Sequence, residues 1–78
     1  GMRYQNGDRV ILLENMSFKG GGKGEPIASA EVLSYNRITE QYKIKYQVFG
    51  TGETGEIDVS EERLIISSND FSKINRES

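Results

Sequence analysis

Three groups of side chains in this 78-residue chain could carry chemistry. One is acidic: Glu53, Glu56, Asp58, Glu61 and Glu62 follow one another with no basic residue among them. Such a stretch can attract a basic peptide or protein tail, and with no partner it serves as a solvated, aggregation-resistant surface. A second group is aromatic. Tyr35, Tyr46 and Phe49 stand near strand ends, with Thr51 just beyond and Phe18 in a glycine-rich segment upstream. The third is basic: Arg37, Lys43 and Lys45, which beside Tyr35 and Phe49 would suit single-stranded nucleic acid through charge and base stacking. Glu25, Glu31 and Glu40 dilute that charge, which ranks nucleic acid second to a protein or peptide partner.

Composition argues against catalysis. The chain has no histidine and no cysteine, so the commonest proton-transfer group near neutral pH, thiol nucleophiles and the usual transition-metal ligands are all missing. Ser17, Ser29, Ser34 and Ser60 therefore have no histidine to activate them. No Asp-rich calcium loop is present, and no metal site, cofactor or small-molecule substrate is expected. The run Lys19 to Gly24 departs from a phosphate-binding loop, because Lys23 is followed by Gly24, Glu25 and Pro26 instead of Ser or Thr and a helix. It lies within Asn15 to Pro26, which reads as a flexible loop of about a dozen residues, a length that often serves function.

Size and charge bound the class. Ten basic and twelve acidic side chains give a net charge of −2, unlike a generic DNA-coating protein. No stretch approaches the roughly 18 apolar residues that span a membrane. Gly1 before Met2 reads as a tag remnant, and the following residues lack the apolar core of a signal peptide. A cytoplasmic location is expected. One domain is expected over residues 7–66, with 1–6 as lead-in and 67–78 as a polar tail in which Phe71 and Ile74 could form a short helix.

The elements that must position these groups are strands. Asn6-Gly7-Asp8 is a turn that launches a strand from Arg9 to Glu14, whose four consecutive apolar residues predict cover on both faces or a strong bend. Ile27 to Tyr35 forms the second strand, with Ala28, Ala30 and Val32 on one face. Asn36 to Thr39 is a turn. Between Gln41 and Val48 the alternation is strict: Tyr42, Ile44, Tyr46 and Val48 share a dry face, Lys43 and Lys45 a wet one. On that pattern the tyrosine rings are core and only their hydroxyls reach water. Phe49 is out of phase and exposed. Glu53 to Val59 is a fourth strand. Ser60 caps a helical turn, and Leu64 to Ile66 closes the set. The class is all-β: five antiparallel strands in a small barrel, with one short helical turn before the last.

That order and several short motifs resemble a Tudor domain of the SH3-like barrel class. Gly7-Asp8-Arg9-Val10 is similar to the opening of the first Tudor strand, Ala30-Glu31-Val32 to the centre of the second, Tyr46-Gln47-Val48-Phe49-Gly50 to the end of the third, and Val59-Ser60-Glu61-Glu62-Arg63-Leu64 to the entry into the helical turn. The likeness spans residues 7–66. It implies a methyl-cation cage in which Tyr46 and Phe49 match two aromatic positions. Glu14 and Ala28 stand at the other two, and Thr51 stands where Asn or Asp is usual. Phe18 would have to supply a third ring. The expectation is therefore a non-enzymatic module that binds a protein or peptide, with nucleic acid as the alternative.

Overall fold

The computed structural model describes residues 3–15 and 24–67. Among these residues the chain forms five strands: β1 (Arg9–Leu13), β2 (Pro26–Asn36), β3 (Gln41–Val48), β4 (Thr54–Ser60) and β5 (Leu64–Ile66), with a 3-10 turn at Glu61–Arg63 between the last two. They make one antiparallel sheet in the order β4-β3-β2-β1-β5. β4 and β5 are its two edges, and no ladder joins them among the described residues. Phe18, Phe71 and Ile74 lie outside the described residues, so the expected third ring and tail helix do too.

The strict alternation of β3 sets the register. Tyr42 and Ile44 are fully buried, whereas Lys43, Lys45 and Gln47 are exposed. The same period places Val10 and Leu12 of β1, Ala28, Ala30 and Val32 of β2, Val59 of β4 and Leu64 of β5 in one buried cluster. The apolar run of β1 resolves as a bend. Its register with β2 shifts between Leu12 and Leu13, so that both are buried although they are neighbours. Arg63 then ties the 3-10 turn to β1, donating from Nε (3.1 Å) and Nη2 (2.8 Å) to the Leu13 carbonyl.

A second irregularity matters more for the surface. The β2–β3 register shifts between Val32 and Ser34, so Tyr35 comes to lie opposite Tyr42. The Val32 amide donates to the Asp8 carbonyl (2.9 Å) and its carbonyl accepts from Gly7 (2.7 Å), which satisfies the backbone of Val32 beside the bulge. Gly7 supplies the positive φ of 93° that this turn requires.

Two expectations need correction. Tyr42 does not offer its hydroxyl to water: that oxygen accepts the amides of Arg3 (2.7 Å) and Tyr4 (3.0 Å). Ser60 sits at the cap position of the 3-10 turn but makes no side-chain capping bond. The lead-in also does more than precede the sheet. Tyr4 is buried in the core, edge-on to Tyr42 at 5.6 Å, and donates to the Leu64 carbonyl at 3.2 Å.

Candidate functional site

The end of the β2–β3 hairpin is a built feature of the surface. Asn36 starts its turn, and its Oδ1 accepts the amides of Ile38 (2.8 Å) and Thr39 (3.1 Å). The Glu40 amide returns to the Asn36 carbonyl at 2.8 Å, with Glu40 held at φ 60°, a conformation that costs an L-residue energy. The turn is thus over-determined, and it lifts Ile38 into solvent at 92% exposure. Beside it opens a groove of about 570 Å³ lined by Ser34, Tyr35, Asn36, Arg37, Gln41, Lys43 and Asp58.

Tyr35 lines that groove, while its ring is anchored on the core side. The bulge in β2 turns it toward β3, where its ring packs on Tyr42 at 4.7 Å with a 50° tilt. Partial desolvation, reinforced by Glu40, Tyr42 and Glu61, holds its phenol above the ordinary tyrosine value. Tyr4 is raised too, first by burial, and the nearby Arg3 works against this shift.

The sequence-based candidates divide between two ends of the hairpin. Tyr35, Arg37 and Lys43 meet in the groove. Phe49 and Thr51 lie beyond the opposite end of β3, about 23 Å along the strand from the level of Tyr35 at ~3.3 Å per residue. There the Phe49 amide donates to the Ile27 carbonyl (3.0 Å), its ring is 49% exposed, and the Thr51 hydroxyl accepts the Glu53 amide at 3.2 Å. Tyr46 sits between the two ends, partly buried against the core. It leans over Gly55, where an added Cβ would come within 2.5 Å of its hydroxyl. Tyr35, Tyr46 and Phe49 therefore do not share one concavity. Of the remaining positions that would complete a ring of aromatics, Ala28 is fully buried and Glu14 is exposed.

The acidic stretch is one-signed in sequence but mixed in space. Asp58 pairs with Lys43 at 3.4 Å, and Glu61 pairs with Arg3 at 3.5 Å. Glu56 lies opposite Lys45, Lys45 opposite Glu31, and Glu31 opposite Arg9, so charge alternates across four neighbouring strands. Each exposed pair contributes little stability, about 0.2–1 kcal/mol, yet together they abolish both a continuous acidic face and a continuous basic one. Glu53 and Glu62 remain exposed outside this pattern.

Sequence reasoning did not select Ser34 or Gln41, and it read Asn36 only as a turn residue. Their shared signal is position, at the two strand ends that flank a turn. Among the described residues, no group of three or more Asp or Glu side chains could hold a metal ion, and no helix is long and apolar enough to cross a membrane. No family model, curated protein or solved structure matches this chain.

Proposed function

We propose that this chain is a small, non-enzymatic, peptide-binding module on an SH3-like barrel, with its ligand seated in the groove beside Tyr35. The observation that carries the reading is that groove. Tyr35, the amide side chains of Asn36 and Gln41, and a half-exposed ion pair between Lys43 and Asp58 converge beside a hydrogen-bonded turn. Amide and hydroxyl groups of this kind suit the polar backbone of an extended peptide, and the aromatic ring supplies apolar area with little entropy to lose. The absence of histidine and cysteine supports a binding role over a catalytic one.

The barrel assignment has its own physical support. One sheet carries a buried cluster drawn from all five strands and from Tyr4. Among the described residues no helix packs on that face, and a sheet curled over its own side chains would cover it. The Tudor-like order of elements is consistent with this. A complete methyl-cation cage is not favoured, because Ala28 and Glu14 occupy two of its positions and Tyr46 is directed at Gly55.

The test is fluorescence anisotropy against a library of extended peptides, using the full chain and a Tyr35→Ala variant. Binding that weakens at least ten-fold in the variant, with its fold intact by circular dichroism, supports the reading; binding untouched by the change refutes it. A nucleic-acid role is the second reading, favoured by Arg37 and Lys43 sharing the groove with Tyr35. It predicts a salt-dependent mobility shift with RNA or single-stranded DNA that an Arg37→Glu/Lys43→Glu variant loses.

A further inference from the structure

The two edges of the sheet are not equally protected. β5 is three residues long, too short to template another strand. β4 has seven residues, no proline and no lysine, and its register with β3 runs without a shift from Thr54 to Ser60. In an antiparallel ladder, about half of an edge strand's backbone groups point away from its neighbour. Among the described residues, no strand pairs with that outer edge of β4. Short length, prolines, bulges and charged side chains are the usual means of blocking such an edge, and of these β4 uses only charge, of one sign. It carries Glu56 and Asp58, both exposed and two residues apart on the outer face.

Those carboxylates choose what can pair. A second copy of β4 laid antiparallel about Ile57 would set Glu56 against Asp58, and a two-residue slip would oppose like residues instead. Like charges directly opposite each other are destabilising in every such register. A basic strand meets the reverse situation. The row Arg9, Glu31, Lys45, Glu56 alternates in sign and stops at the edge, and the neighbouring row stops at Asp58, opposite Lys43. One more strand with cations at these positions continues both rows. The Lys43–Asp58 contact is half exposed, and a carboxylate can accept from two cations at once.

We infer that the outer edge of β4 is a strand-addition site for a basic extended peptide of the pattern (Lys/Arg)-apolar-(Lys/Arg), its two cations opposite Glu56 and Asp58. The spacing follows from the two-residue side-chain period of a strand. The central apolar residue falls opposite Ile57, which is partly buried at the core's rim. Asp58 also lines the groove beside Tyr35, so one ligand can occupy both features. The inference rests on the peptide-binding reading and specifies the peptide's conformation and charge pattern.

The experiment compares four peptides that share one groove-seating segment selected from the library above. They carry Lys-Val-Lys, the scrambled Lys-Lys-Val, Glu-Val-Glu, or Lys-Val-Lys with N-methylated backbone amides. Binding to the full chain is measured together with amide hydrogen exchange. Lys-Val-Lys is expected to bind at least ten-fold tighter than Glu-Val-Glu and several-fold tighter than the scrambled peptide. It should slow exchange in β4, lose both effects on N-methylation, and lose the charge preference in a Glu56→Lys/Asp58→Lys variant. Equal affinity for Lys-Val-Lys and its scramble, or Tyr35-dependent binding without β4 protection, overturns the strand-addition inference and leaves the groove reading standing. Protection of β4 that disappears on dilution without peptide assigns the edge to self-association and also overturns it. Absence of binding by all four peptides defeats the groove reading itself.

Discussion

The two faces of β3 obey different rules. On the inner face Tyr42 and Ile44 are fully buried, and even the Tyr42 hydroxyl is spent on the amides of Arg3 and Tyr4. On the outer face Lys43 and Lys45 are exposed, and each lies opposite a carboxylate on β4. One strand thus serves two purposes by alternation. Its even-numbered residues specify the fold through burial, while its odd-numbered residues balance the charges of adjacent strands at little energetic consequence. The lesson concerns sign. A run of like charges along one strand says nothing about the sign of the surface until the neighbouring strands are known.

Breaking the inner face should cost most. Tyr42→Ala removes a fully buried ring that contacts both Tyr4 and Tyr35, and large-to-small changes of this kind cost about 3–5 kcal/mol. In a domain this small that is a large fraction of total stability, so urea denaturation should give a much lower midpoint or no folded baseline. Next comes the tie between the 3-10 turn and β1. Arg63→Met leaves the Leu13 carbonyl without its two charged donors, a loss of about 1.5–3 kcal/mol by the same measurement.

The inner face should also respond to alkali. Tyr4 titrates above its ordinary value because burial disfavours the phenolate. The folded state therefore holds its proton more tightly than the unfolded state does. Its contribution is fully present below the unfolded value of 10.0 and is lost as pH rises through the higher folded value. Denaturant midpoints should be level from neutral pH to about pH 9 and fall beyond pH 10. Tyr4→Phe should lessen that fall, leaving the part that Tyr35, also raised, contributes. A change on the outer face gives the smallest effect. Lys45→Glu puts like charges opposite both Glu31 and Glu56, and should cost only about 0.5–1 kcal/mol, shrinking further in high salt. A loss as large as that of Tyr42→Ala would erase the distinction between the faces.

Much of the inner face was legible in the sequence because its period is a direct consequence of strand geometry. The alternation from Tyr42 to Val48, the inward set Ala28, Ala30 and Val32, and the outward pair Glu56 and Asp58 all fall where the two-residue rhythm puts them. What escaped reading depends on distant partners. The bulge that turns Tyr35 toward Tyr42 follows Val32, whose backbone is satisfied by Gly7 and Asp8, residues far away in sequence, and Leu33-Ser34 carries no glycine or proline to announce it. Tyr4 looked like part of a lead-in because nothing nearby reveals that its partners are Tyr42 and Leu64. The groove was half visible. Tyr35, Arg37 and Lys43 stood out by type, but their separation from Phe49 follows from the strand pairing, which no single segment encodes.

The most direct test of the account is a chemical-shift map of the full chain titrated with a basic extended peptide. The largest amide shifts are expected at Ser34 to Arg37, Gln41 and Lys43, and from Glu56 to Asp58, with little change at Phe49 to Gly52. Shifts concentrated at Phe49 to Gly52, with the groove unmoved, would contradict it.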